Sequence, residues 1–366
     1  MGTTEYAPGV STGTEDRTES PPGVDLEILR GWFGAHVEGA DASRELTAEV
    51  ISGGRSNLTY GISDGVNEWV LRRPPLGHVL PTAHDMGREF TVMSALAPTA
   101  VPVPRTFAYC DDESIIGARF YVMERVHGVI AQAAEQIAAI SVADARRCSR
   151  ALIDVLAAIH AVDPRAVGLD EFGRPDGYLQ RQVERWAKQW EGNKTHDLDE
   201  IEELTRRLRA AVPSQNDAAI VHGDYRLDNT MLDPDDPGTI LAVLDWEMST
   251  LGDPLADLGL LLVYWGGPGG EVLPQTAALA GHTGFFSADE VVEEYAKASG
   301  RDVGHLDFHV VLAYYKLAII LEGIHARYLK GKTVGEGFDR LGGQVRFLAQ
   351  AALDVAAASE IVTLRG

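Results

Sequence analysis

Two short apolar runs, Ile220-Val221 and Ile240-Leu241-Ala242-Val243-Leu244, each lead straight into a polar cluster. The first opens into His222-Gly223-Asp224-Tyr225-Arg226-Leu227-Asp228-Asn229, the second into Asp245-Trp246-Glu247. Apolar runs of this length, bounded by polar residues and glycine, read as buried strands. The fold must therefore bury both strands and bring carboxylates and an amide out at their ends. Taken singly, each cluster is a solvated turn. Asp224, Asn229 and Asp245 in this order, each after an apolar run, make that bland reading poor.

The bulk of the chain sets the class. Its 366 residues suffice for a sizeable core and for two lobes or domains. At 45% hydrophobic and 23% charged it has the composition of a soluble globular protein. The formal net charge is −22, from 54 acidic and 32 basic residues, which repels nucleic acid and anionic membrane surfaces. It would suit a cationic substrate, although an acidic surface mainly serves solubility. Cys110 and Cys148 are too few for a disulfide framework or a cysteine zinc site and fit a reducing compartment. Neither a signal peptide nor a run of about 18 apolar residues is read, so a cytoplasmic protein without a membrane span is expected.

Residues 1–22 are rich in Thr, Ser, Gly, Pro and Glu and are expected to form a disordered tail. Leu26, Leu29, Trp32, Phe33 and Val37 recur at helical spacing. Strands are expected at Glu49–Ser52, Leu58–Ser63, Glu68–Arg72, Thr106–Cys110 and Ala118–Glu124, with Asp64-Gly65 as a hairpin turn and a helix over Ala83–Leu96. Past Gly128 helices dominate: Val142–Ala161, Gly177–Trp190, Leu198–Ala211, Leu306–Tyr328 and Gly337–Ala357, with Ser287 and Glu290 forming a capping box. The fold class is α+β, a β-rich lobe followed by a mostly helical one.

Between Asp224 and Asn229 lies the Asp-x-x-x-x-Asn spacing of a kinase catalytic loop, and Asp245 follows a strand as that fold's metal Asp does. Phosphoryl transfer needs positioning and charge neutralisation more than covalent help. Asp224 fits a base for an acceptor hydroxyl, Asn229 and Asp245 fit Mg²⁺ as hard oxygen ligands, and Arg226 could reach the transferring phosphate. The string resembles the aminoglycoside phosphotransferase and choline kinase-like superfamily, and Gly252-Asp253-Pro254-Leu255-Ala256-Asp257-Leu258 resembles that family's next block, whose Asp residues brace the helical lobe. Gly53-Gly54-Arg55-Ser56-Asn57, Val70-Leu71-Arg72-Arg73-Pro74-Pro75 and Phe120-Tyr121-Val122-Met123-Glu124 resemble the group related to the kinase domain associated with acyl-CoA dehydrogenases.

The resemblance covers roughly residues 25–350 and implies a bilobal protein-kinase-like fold, with a small antiparallel N-lobe sheet and one helix over residues 23–123 and a mostly helical C-lobe over 124–366. It implies ATP and Mg²⁺ as cofactors and a small-molecule hydroxyl as acceptor. Gly53, Gly54, Ser56 and Asn57 would cover the nucleotide phosphates, Arg72 would hold them with Glu89 as helix partner, and Tyr121 to Glu124, Met123 included, would form the hinge facing adenine. Several assignments stay open. Arg73 competes with Arg72, and residues 53–54 could be an ordinary turn. His222 reads as a loop brace, Glu247 as a brace or a ligand, and Trp186 and Trp190 as pocket or core. The acceptor could be a hydroxyacyl-CoA or hydroxy acid, or an aminoglycoside. A nucleotide-binding pseudokinase is the rival of another class. A protein kinase fits poorly, because only a short segment separates Asp245 from Gly252.

Overall fold

The computed structural model describes residues 20–53, 57–76, 85–214, 218–266, 274–331 and 341–366. They divide into two units, one of the chain up to Phe90 with Arg105–Arg125, the other of Thr91–Pro104 with Val126–Gly366. Residues 1–19 of the expected tail lie outside the described residues. Ser20 and Pro22 are engaged: the Ser20 hydroxyl accepts from Leu26 N–H at 3.2 Å, and the Pro22 carbonyl accepts from the Tyr60 hydroxyl at 2.6 Å.

The first unit contains α1 (Leu26–His36), β1 (Thr47–Gly53), β2 (Leu58–Ser63), β3 (Glu68–Arg73), the start of α2 (Met86–Leu96), β4 (Thr106–Cys110) and β5 (Phe120–Glu124). The strands form one antiparallel sheet in the order β1-β2-β3-β5-β4. Asp25 starts α1 by accepting from Glu27 N–H and Ile28 N–H, both at 3.1 Å. The helix buries Leu29 and Phe33 against Trp69, Ile62, Leu71 and Val122 of the sheet. The Phe33 and Trp69 rings meet edge-on at 5.6 Å. Each such side chain contributes about 1.5–3 kcal/mol of burial. The β2–β3 turn is closed by the Asp64 carboxylate, which accepts from Val66 N–H and Asn67 N–H, and Gly65 takes φ +83° there.

The second unit is mostly helical. In chain order it holds α3 (Ala134–Ala139), α4 (Val142–Ala161), α5 (Tyr178–Asn193), α6 (Asp199–Ala211), β6 (Ala219–Val221), β7 (Thr230–Leu232), β8 (Ile240–Val243) and β9 (Thr250–Gly252). Then follow α7 (Leu255–Tyr264), α8 (Pro274–Gly281), α9 (Ala288–Ser299), α10 (Leu306–Leu329), α11 (Leu341–Ala358) and α12 (Val362–Arg365). The short strands pair antiparallel as β6 with β9 and β7 with β8. The capping box at Ser287 and Glu290 forms as its spacing predicts, and α9 ends on Gly300 at φ +67°.

The longest helix corrects one expectation. By length and composition α10 is apolar enough to cross a membrane, yet 72% of its most apolar stretch is buried. It packs against α5, α6, α7 and α11, so its apolar surface is accounted for within the unit. Sequence had read no such segment, because Lys316 and Glu322 interrupt the run. The architecture is α+β, a small antiparallel sheet with α1 packed on it and a second unit built mainly of helices.

Candidate active site

Strand β6 carries the chain into His222, and β8 carries it to Asp245. A backbone bond joins the two ends: Leu244 N–H donates to the Asn229 carbonyl at 2.8 Å. The structure thus brings Asn229 next to the residue that precedes Asp245. Asn229 lies in a 3₁₀ turn, Leu227–Asn229, and its Nδ2 donates to the Asp224 carbonyl at 2.8 Å and to Asp224 Oδ2 at 3.0 Å. That pair of bonds fixes the amide and leaves its Oδ1 as a placed oxygen donor. Asp245 takes the left-handed conformation, φ 64° and ψ 58°, alone among the described non-glycine residues. Such a backbone costs about 1–3 kcal/mol and persists where the surroundings over-determine it.

The loop between is braced from beneath. Asp257 of α7 is fully buried; its Oδ2 accepts from His222 N–H at 2.6 Å and its Oδ1 from Gly223 N–H at 2.8 Å. His160 Nε2 stands 3.3 Å from the same Oδ2, and Tyr295 O–H lies 2.8 Å from His160 Nδ1. Burial works to raise the Asp257 carboxyl, but the His160 hydrogen bond, His222 and the amides outweigh it and hold it below its usual range. The His222 ring spans Leu244 O at 2.9 Å through Nε2 and Asp224 N–H at 3.2 Å through Nδ1. A carbonyl on one side and an amide hydrogen on the other place the ring hydrogen on Nε2. Tyr225 anchors the loop to α4 through its hydroxyl and Leu152 O at 2.8 Å.

Gly223 has φ +84°, and a Cβ there would sit 2.6 Å from the Met248 carbonyl oxygen. Gly223→Ala is expected to cost about 2 kcal/mol or more, from the left-handed backbone plus the overlap. Urea denaturation, with turnover falling alongside, checks it.

Arg226, expected to reach a phosphate, points its guanidinium at Asp228 Oδ2 (3.0 Å) and Asp224 Oδ2 (3.4 Å), over the Tyr264 ring at 4.6 Å. Burial would lower it, but Asp224, Tyr264 and Asp228 hold it fully charged. Asp228 is pushed up by burial despite Arg226. Glu247 is half-buried in the 3₁₀ turn Trp246–Met248, whose Trp246 is buried with Nε1–H on Val243 O at 3.0 Å.

Sequence reasoning missed Lys316 of α10. The residue is half-buried, and its ammonium donates to the Gly223 carbonyl at 2.8 Å. Burial lowers its pKa, with Asp224 and Asp257 opposing. The signal was there, a single cation inside Leu312–Leu321. His160 and Tyr295 were missed too, each looking like an ordinary helix residue.

In the first unit Glu89 is fully buried and gathers three partners. Asn57 Nδ2 donates to Oε1 at 2.9 Å, the Tyr121 hydroxyl donates to Oε2 at 2.9 Å, and Arg72 NH1 stands 3.4 Å from Oε2. Arg73 turns away and donates to the carbonyls of Gly23, Ile116 and Pro74. Met123 and Glu124 are paired with both β3 and β4 or its approach: Val70 and Thr106 flank Met123, and Glu124 N–H donates to Arg105 O at 2.7 Å. Gly53 ends β1, and Gly54 and Ser56 lie outside the described residues.

The donor set bears on the metal. Among the described residues no three His, Cys, Asp or Glu side chains converge on one point. Asn229 Oδ1 and the Asp245 carboxylate fit a cation that takes two protein oxygens and fills its shell with phosphate and water, as Mg²⁺ does.

Comparison with known proteins adds the following. The model of a phosphotransferase enzyme family matches residues 47–300. Human acyl-CoA dehydrogenase family member 11 is 33% identical over 352 residues, which is 94% of this chain and 45% of that protein. Mouse acyl-CoA dehydrogenase family member 10 is 35% identical, over 93% of this chain and 32% of its own length. The chain therefore spans less than half the length of these curated relatives. Among solved structures, a Ralstonia eutropha jmp134 protein provisionally named an aminoglycoside phosphotransferase superposes with TM-score 0.80 at 34% identity, covering 92% of this chain and 99% of that one. Aminoglycoside phosphotransferase APH(4)-Ia, solved with ADP and hygromycin B, shares the fold at TM-score 0.59 and 14% identity, over 89% and 97% of the two chains.

Proposed function

The chain belongs to the phosphotransferase enzyme family, and from that premise we propose that it transfers the γ-phosphoryl group of ATP, with Mg²⁺, to a hydroxyl of a small molecule. One observation carries the reading: Asp224, Asn229 and Leu244–Asp245 are tied into a single cluster by the Asn229 amide and carbonyl. In this assignment Asp224 holds the acceptor hydroxyl and takes its proton as the oxygen bonds to phosphorus and the bridging P–O bond breaks. Asn229 keeps one Asp224 oxygen engaged and directs the other. Asn229 Oδ1 and Asp245 would hold Mg²⁺, which supplies charge neutralisation on the phosphates when bound. Arg226 orients Asp224 and offsets the charge of Asp228. Arg72, held by Glu89, is the phosphate-binding arginine, since Arg73 is committed to backbone carbonyls.

For the acceptor, the acyl-CoA dehydrogenase relatives favour a hydroxyacyl-CoA or hydroxy acid over an aminoglycoside. The test is ADP release from Mg·ATP across aminoglycosides, hydroxyacyl-CoAs, free hydroxy acids and choline-like alcohols. Release that depends on one acceptor class is the expected outcome. Proven ATP binding without release above background for any acceptor would favour a nucleotide-binding pseudokinase.

A further inference from the structure

On the face of β3 opposite Glu89, Arg73 is only 4% exposed, yet no carboxylate pairs with it among the described residues. Its charge is met by neutral carbonyls alone, from three places: Gly23 ahead of α1, Ile116 of the β4–β5 loop, and Pro74. Burial pulls its pKa down, with Tyr60 opposing. A buried guanidinium is costly to keep, and an apolar side chain of like size fills such a place without that cost. The segment that supplies the Gly23 carbonyl is itself seated on the sheet. Tyr60 of β2 donates its hydroxyl to Pro22 O at 2.6 Å, and Val24 N–H donates to Pro21 O at 3.1 Å. Val24 is buried in one cluster with Tyr60 and Leu71. Gly23 takes φ +86°, and a Cβ there would lie 2.8 Å from Arg73 NH1 and 2.6 Å from a Leu76 methyl. The segment therefore lies directly on the arginine.

Resting on the reading of Arg72 as the phosphate-binding arginine, we infer that Arg73 is a positioning residue for it, and that residues 21–24 are the strap that locks both in place. Neighbours joined by one peptide bond cannot shift independently. Arg72 meets Glu89 on one face of β3 and Arg73 meets the strap on the other, so the strand end is clamped from both sides. When the strap carbonyl is lost, the lowest-energy response of the stranded cation is to move toward water. Arg72 then moves with it, away from Glu89. Nucleotide affinity thus depends on a segment seated on the opposite face of the sheet from the arginine that holds the phosphates.

The experiment titrates the full chain with Mg·ADP by calorimetry, well below the melting temperature, with circular dichroism to show that each variant is folded. Arg72→Met sets the scale, with an expected loss of about 10- to 100-fold, the range for hydrogen bonds to a charged group. Arg73→Met should lose about 3- to 10-fold, a part of that range. Arg73→Lys keeps the charge without the planar fork and should fall between Arg73→Met and wild type. Gly23→Ala leaves both arginines in place and lifts only the strap. It should lose affinity by a similar factor to Arg73→Met, and the double variant should lose no more than either alone. Tyr60→Phe, which removes only the bond to Pro22, should move affinity the same way and keeps the test open if Arg73→Met does not fold. Unchanged affinity in Gly23→Ala and Tyr60→Phe overturns the inference, as does an additive loss in the double variant. Unchanged affinity in Arg72→Met removes Arg72 from the phosphates and the inference with it, whereas a loss there without one in the strap variants removes the inference alone. A wild type that binds no nucleotide counts against phosphotransfer itself and overturns both.

Discussion

Replacing Asp224 by Asn is expected to lower turnover by about 10²–10⁴-fold, the usual size of a lost general base, with nucleotide affinity within a few-fold of the parent. The substitution is nearly silent for the structure. Asn229 Nδ2 donates to Asp224 Oδ2, and the Oδ1 of an asparagine at this position can accept that bond. Asp224 N–H still reaches His222 Nδ1. What disappears is the negative charge and the lone pair that takes the acceptor proton. Arg226 loses one of its two carboxylate partners and keeps Asp228 at 3.0 Å. Single-turnover assays with Mg·ATP, paired with nucleotide titration and a melting curve, separate these effects. Unchanged turnover would remove Asp224 from the base role, and a large drop in melting temperature would show that the residue holds the loop instead.

The cluster of Asp224, Asn229 and Asp245 was legible because its signals are local. A strand end, a four-residue gap and a second strand end fix Asp224, Asn229 and Asp245 along the chain, and the fold then has only to pair short strands. Helix α4 over Val142–Ala161 and strand β2 over Leu58–Ser63 were legible for the same reason, one through helical period and the other through turn residues at both ends. Helix α7 was not. Its Leu255–Tyr264 is buried nearly all round, so no polar face marks its period. Equally hidden was the brace beneath the loop. Tyr295, His160 and Asp257 come from α9, α4 and α7, and only the tertiary fold puts them in line. That Arg72 and not Arg73 meets Glu89 needed coordinates too, since adjacent strand residues point to opposite faces. Glu89 sits on one of those faces, and the carbonyls of Gly23 and Ile116 on the other.

That hidden brace is expected to carry a large stability effect. Asp257→Ala is expected to cost about 3–5 kcal/mol, the range for removing one partner of a buried charged pair, because it strands the His222 and Gly223 amides and the His160 ring together. Tyr295→Phe, which removes only the distal hydroxyl of the same chain of bonds, should cost about 1 kcal/mol. The pH dependence distinguishes a charged brace from a neutral one. The folded-state pKa of Asp257 lies below the unfolded value, near 3.9 for a free Asp. Its contribution is therefore fully present above that unfolded value and fades as pH falls through the folded one. Urea denaturation from pH 7 down to pH 3 should show Asp257→Ala losing most at neutral pH, with the gap to wild type narrowing only at the acid end. A gap that stays constant over the whole range would mean that Asp257 acts through packing alone. Turnover is expected to fall with the brace, since His222 and Gly223, whose amides Asp257 holds, set the backbone from which Asp224 projects.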